Sequence, residues 1–223
     1  MAGTHVTLGE EIMLLSLDDE SGTATSRQAA GWAVAGGLLL ELVMAGRVSV
    51  TGAYLGVVDT TPTGEPLIDG RLALLETWMK GRSKRRVTDW LTKDQAKAVG
   101  ATLERMSERG LVVEERHKLL GLFPVRRYPE ADGSAERELR DRLAATVLGK
   151  ADPDERTAGL IALLHAAKLH RLAFPELPRR EVARRMADIA AGEWAAESVR
   201  LAIRDMQAAV IAVTAATVAA AVA

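Results

Sequence analysis

No cysteine occurs among the 223 residues, which excludes disulfides, cysteine nucleophiles and cysteine-ligated metals and fits a reducing, cytoplasmic setting. An excess of charge of one sign is also lacking. Twenty-nine basic and 30 acidic residues leave a formal net charge of −1, so no global field recruits nucleic acid or a membrane, and any such attraction must be local. The chain has no phosphate loop, dinucleotide fingerprint or G-x-S-x-G nucleophile elbow. Its first 20 residues have no basic n-region and carry acids beside their apolar run, so no signal peptide is expected. Aromatic residues make up only 4%, but hydrophobic ones reach 48%, ample for a core. No linker or internal repeat divides the chain, and one domain over residues 1–223 is expected.

The pattern predicts a mainly α fold with a few short strands. Thr7 followed by Glu10 is a capping-box pair opening a helix with Leu8, Ile12 and Leu15 on its apolar face. Residues 27–45 form the most apolar helix, covered on most of its circumference by Trp32, Val34, Leu38, Leu39, Leu40, Leu42 and Val43, and such a helix belongs at the centre of a fold. Gly36 and Gly37 weaken it unless another helix approaches there, and Gly46 closes it. Short strands are expected at 47–50 and 54–58, and a helix at 67–79. Further helices are expected through 89–91 and over 94–109. A β-hairpin is expected from 111–113, across the polar stretch 114–118, to the apolar run 119–125. Met206 to Ala223 is an 18-residue stretch without charge, half of it alanine. It is close to a membrane span in length, but too weakly hydrophobic to insert well. A buried terminal helix is expected.

Candidate chemistry is sparse. His165 and His170, five apart on one helical pattern, should point to different faces, and no metal site is expected. Glu10 and Glu11 at a helix start read as solvated acids favoured by the helix dipole. Glu41 inside the apolar helix must pair or shift its pKa, and Arg47 is the nearest cation in sequence. Two features remain. Lys80, Arg82, Lys84, Arg85 and Arg86 put five positive charges in seven residues. They form either a solvated loop or a contact for anionic lipid, where each charge contributes about 1 kcal/mol. Leu119, Leu120, Leu122, Phe123 and Val125 form an apolar hairpin bracketed by Lys118, Arg126 and Arg127. They serve packing or an oligomer contact, or else enter a bilayer interface, as an apolar tip flanked by cations does in reversible peripheral binding.

Five segments in order resemble the Golgi phosphoprotein 3 family. They are T-L-x-E-E-I-x-L-L-x-L (Thr7 to Leu17), L-L-x-E-L-x-x-x-G-R-V (Leu38 to Val48), D-x-x-P-T-G-x-x-L-I-D (Asp59 to Asp69), L-E-R-x-x-E-R-G-L-V (Leu103 to Val112) and L-I-A-L-L-H-A-A (Leu160 to Ala167). The resemblance covers nearly the whole chain and looks like that of a bacterial member. It implies peripheral membrane proteins that bind phosphatidylinositol 4-phosphate. Their fold is a single helical domain around an apolar central helix, with a protruding hydrophobic hairpin used for membrane insertion and oligomer contacts. The family's headgroup ligands, a tryptophan and three arginines, fall on Ser26, Ala35, Gly100 and Leu103 and are not carried over; Trp32 stands near the tryptophan position but out of register.

The expectation is therefore a non-enzymatic peripheral membrane protein without cofactor or metal, cytoplasmic and associated with the membrane. It would bind anionic phospholipid with a phosphoinositide-like headgroup through Lys80, Arg82, Lys84, Arg85, Arg86, Arg126 and Arg127. A homo-oligomer through the hairpin and membrane-protein clients are family-based additions. The competing arrangement is a winged helix that binds nucleic acid, with a recognition helix at 94–109 and a wing at 111–128. Against it, the helix carries Asp94, Glu104 and Glu108, and the wing tip is apolar, so phosphate attraction would be weak; nucleic acid is not an expected partner. A third reading, an enzyme centred on Glu41, has no supporting constellation.

Overall fold

The computed structural model describes residues 6–17, 24–119, 123–128, 131, 133–192 and 197–222. Its architecture follows from one helix, α2 (Ala24–Met44). Apolar side chains at almost every position of its second half cannot all face one neighbour, so other helices surround it. Ala33, Val34, Leu38, Leu39, Leu40 and Leu42 are all essentially inaccessible. Around α2 pack α1 (Leu8–Leu17), α3 (Pro66–Met79), α4 (Val87–Glu108), α6 (Glu155–Ala166) and α9 (Glu197–Val222). Gly36 and Gly37 let neighbouring helices approach closely. A Cβ on Gly37 would lie 3.1 Å from the Leu8 carbonyl carbon of α1, and one on Gly36 would lie 3.2 Å from Leu163 Cδ2 of α6. Gly46 then takes φ +70°. The Gly46 and Arg47 N–H groups donate back to the Val43 and Leu42 carbonyls, both at 2.9 Å, so the helix ends as anticipated.

α1 begins with the capping box. The Thr7 N–H donates to Glu10 Oε2 at 2.7 Å, and the Glu10 N–H to Thr7 Oγ1 at 3.3 Å. The expectation of solvated acids fails, however. Glu10 and Glu11 are 0% and 4% exposed, because α1 is packed between α2, α4 and α5 (Ser134–Val147). Arginines from distant elements neutralise them: Arg109 reaches Glu10 and Arg142 reaches Glu11, each at 2.9 Å.

β1 (Val48–Thr51) and β2 (Tyr54–Val57) pair antiparallel through a two-residue turn, Gly52 and Ala53, both at positive φ, as a type I′ hairpin requires. A third strand, β3 (Arg85–Arg86), joins β2 on its other side. α4 then runs unbroken from residue 87 to 108, where two helices were expected. The sequence Thr92-Lys93-Asp94 resembles a helix start, but Asp94 is a buried mid-helix residue that accepts from Arg71 of α3 at 2.9 Å. The expected strand at 111–113 is likewise corrected. The Leu111 N–H closes the end of α4 by donating to the Met106 carbonyl around Gly110 at φ +69°, and Val112 is buried in the core. The hairpin starts later, as β4 (Glu115–Leu119) and β5 (Phe123–Arg127).

The rest of the described chain is helical: α5, α6, α7 (His170–Ala173), α8 (Arg179–Ala191) and α9. α9 holds the alanine-rich end as a helix and buries one side of it through Met206, Ala209, Val210, Val213 and Thr214, whereas Ile211, Ala212, Ala215, Ala216 and Ala219 are exposed, so the expected burial stops at residue 214 among the described residues. Among the described residues no helix is long and apolar enough to cross a membrane. Buried apolar residues from α1 to α9 form one continuous cluster.

Candidate functional site

The basic run is not a plain loop. The Arg82 N–H turns the chain back onto the Met79 carbonyl at 2.8 Å, with Gly81 at φ +76°. Arg85 and Arg86 then pair with Leu55 and Tyr54 in the sheet. This fixes the spacing of the cations. Lys84 Nζ lies 5.0 Å and Arg86 Cζ 5.9 Å from the centre of the Tyr54 ring, and Arg85 Cζ lies 4.3 Å over Trp78. Trp78 in turn leans on Trp90 of α4, with ring centres 5.4 Å apart. Such contacts hold each cation against an aromatic face without pairing its charge with a carboxylate. Lys80, Arg82, Lys84 and Arg86 are exposed and Arg85 is half-buried. Among the described residues, none of the five is within salt-bridge distance of a carboxylate. Five cations on one edge without carboxylate partners make a local positive potential on a chain of net charge −1.

The hairpin register pairs Glu115 with Arg127, Arg116 with Arg126, His117 with Val125, Lys118 with Pro124 and Leu119 with Phe123. Leu119 and Phe123 thus flank the turn directly opposite one another. Leu120 and Leu122 lie outside the described residues. The pairing adds Arg116 to the candidates. Arg116 and Arg126 occupy one paired position, with Lys118 two residues along, so cationic positions recur on one face of the ribbon. Sequence reading missed this because Glu115 to Lys118 was assigned to a connection, not to a strand.

The two basic groups are not brought together into a single pocket. Residues 80–86 precede the N-terminus of α4 and the hairpin follows its C-terminus, and α4 has 22 residues, a length of about 33 Å. The family's headgroup positions offer no alternative. Ala35 is 1% exposed in the core, and Gly100 presents only backbone to open surface. Trp32 is buried as well.

Glu41 does pair, as required, but with a different partner. Its Oε1 accepts from Arg156 Nη1 at 2.6 Å and from the Leu8 N–H at 2.9 Å. Arg47 instead binds Asp59 at 2.9 Å and the Thr61 carbonyl at 2.6 Å. Asp59 also accepts from the Thr61 N–H and hydroxyl, which with Arg47 hold its carboxyl below the usual range. The histidines correct another expectation. α6 stops at Ala166, Lys168 takes φ +58°, and α7 begins at His170. The chain therefore folds back, and His165 Nδ1 meets His170 Nε2 at 3.1 Å.

Compared with known proteins, residues 8–206 match the model of the family described as Golgi phosphoprotein 3 (GPP34). A similar curated protein is the vacuolar protein sorting-associated protein 74 of Eremothecium gossypii. It is 26% identical over 167 residues, an alignment covering 64% of this chain and 49% of the relative. The chain thus spans about half the length of that curated relative.

Proposed function

The chain belongs to the Golgi phosphoprotein 3 family, and on that premise we propose that it is a non-enzymatic peripheral membrane protein that binds the surface of an anionic bilayer. The observation that carries this reading is the set of five cations at residues 80–86, three of them (Lys84, Arg85 and Arg86) held against Tyr54 or Trp78, with no carboxylate partner for any of the five among the described residues. Near an anionic surface they contribute about 5 kcal/mol together, at about 1 kcal/mol each. Hairpin residues Leu119, Leu120, Leu122, Phe123 and Val125 add an apolar anchor. Full burial of each larger side chain would contribute roughly 1.5–3 kcal/mol, with Arg126 and Arg127 meeting the headgroups. Because the two groups stand beyond opposite ends of α4, a bilayer plane suits them better than one headgroup. Selectivity at residues 80–86 and the hairpin then rests on surface charge and not on a phosphatidylinositol 4-phosphate pocket at those residues. A cytoplasmic location, self-association through the hairpin and client membrane proteins complete the reading.

Sedimentation with vesicles tests it. The protein should pellet with phosphatidylglycerol- or cardiolipin-containing vesicles and not with neutral ones, and salt should weaken the binding. Replacing Lys80, Arg82, Lys84 and Arg86 by Gln, or Leu122 and Phe123 by Asp, should each reduce it strongly. Equal pelleting of all variants, or none with any vesicle, would sink the proposal. Preference for phosphatidylinositol 4-phosphate at equal charge that is lost when Lys80, Arg82, Lys84 and Arg86 are replaced by Gln would overturn the charge-only selectivity of that surface.

A further inference from the structure

A second cationic group lies where α7 meets α8. Between residues 168 and 185 stand Lys168, Arg171, Arg179, Arg180, Arg184 and Arg185, against only Glu176 and Glu181. The fold gives part of this group a shape. A cavity of about 200 Å3 opens between α7 and α8, with His170, Arg171 and Arg179 on its polar side and Phe174, Leu177 and Val182 on its apolar side. Pro178 starts α8 and Phe174 closes α7, so the tight connection brings Arg171 and Arg179 to the same opening. Among the described residues neither arginine is within salt-bridge distance of a carboxylate. Arg185 is different: its Nε is already held by the Val147 carbonyl at 3.3 Å.

We propose that this cavity is a binding site for a phosphate monoester, taken either as a small soluble molecule or as a lipid headgroup. Two guanidinium forks and an imidazole around one opening match the several acceptor oxygens and the double charge of such a group. The cavity is smaller than the roughly 300–1,000 Å3 of sites for drug-sized ligands, which suits a headgroup and not a bulky apolar molecule. His170 is 7% exposed. Its Nε2 is engaged with His165, and its Nδ1 has no hydrogen bond of ordinary geometry. Burial above all, with His165, Arg179 and Lys168, holds its pKa below the ordinary value, and the Lys168 backbone opposes this only in part. From α5, Arg140 binds the Leu172 and Ala173 carbonyls at 2.5 and 3.2 Å. From α1, Glu10 and Glu11 are already paired with arginines. A bound dianion would offset the cations around His170 and favour its protonation.

The test uses glycerol phosphate and inorganic phosphate as probes, followed by calorimetry, alongside vesicles containing phosphatidic acid. Two double variants are compared: Arg171→Gln/Arg179→Gln at the cavity and Arg180→Gln/Arg184→Gln on the same basic surface. All four arginines are exposed, so both variants should fold. Saturable one-to-one binding that weakens about tenfold or more in the first variant, and less than about threefold in the second, supports the site. Binding to the vesicles alone with the same variant pattern identifies the source as lipid; binding of the soluble probes identifies a free phosphate. No saturable binding to any probe, or equal weakening in both variants, overturns the proposal. The hairpin variant Leu122→Asp/Phe123→Asp should leave the soluble titration unchanged, so failure here is separate from failure of the bilayer reading.

Discussion

Glu41 on α2 and Arg156 on α6 are 115 residues apart in sequence and meet at 2.6 Å, with the same carboxylate oxygen accepting the first N–H of α1 at 2.9 Å. Arg156 also donates to the Val6 carbonyl. One ion pair thus ties the central helix, the N-terminal segment and α6 together. Glu41→Gln should lower unfolding free energy by about 2 kcal/mol, the scale of a charge-assisted hydrogen bond lost from a half-buried site. Chemical denaturation measures this. Vesicle binding of the folded variant should match the parent protein, since Glu41 touches neither basic group.

Arg71 and Asp94 make the second tie, between α3 and α4, with 11% and 3% of their side chains exposed. Burial raises the Asp94 pKa, while Arg71 opposes that rise. Desolvation is therefore the larger effect on this carboxylate. Arg71→Leu alone should destabilise by about 3 kcal/mol by leaving a buried carboxylate unpaired. The double variant Arg71→Leu/Asp94→Leu should recover most of the loss. A double variant as unstable as the single one would contradict this account.

Ala53 sits at φ +67° in the β1–β2 turn, a conformation disfavoured for any residue with a Cβ by about 1–2 kcal/mol. Its carbonyl accepts from the Val87 N–H at 3.0 Å, so the turn also positions the start of α4. Ala53→Gly removes the Cβ conflict while retaining the carbonyl, at some cost in unfolded-state entropy. The thermal midpoint should rise by a few degrees at most, and a fall would show that the turn is not strained as described.

His165 and His170 both have pKa values below the ordinary 6.5, each mainly through burial. The unfolded chain then binds protons more readily than the folded one as pH drops below about 6.5. The stability these groups contribute is fully present above 6.5 and is lost as pH falls through their lowered folded values. Comparing urea midpoints at pH 7.5 and 5.5 for the parent and for His165→Gln/His170→Gln checks this. The variant should show a smaller loss between the two pH values, and equal losses would remove the histidines from the explanation.

Much of this protein was legible without coordinates because the signals lie within one or two helical turns. The capping box of Thr7 and Glu10, the all-round apolar helix, its close at Gly46 and the short strands β1 and β2 each depend on neighbouring residues, and each formed close to where the pattern put it. The family resemblance came from the same kind of local segment. Where local signals were ambiguous, boundaries moved. Leu111 to Val113 resembles a strand, but Leu111 and Val112 pack against the core after α4 while Val113 is exposed, and the ribbon starts at Glu115. Tertiary structure alone decided which charges meet. Glu10 finds Arg109, Glu11 finds Arg142 and Glu41 finds Arg156, at separations of 99, 131 and 115 residues. A buried carboxylate announces that it needs a partner, but the partner is chosen by how helices cross, and no short-range pattern encodes that. The same holds for the return of His170 to His165 around Lys168, and for the convergence of Arg171 and Arg179 on one cavity.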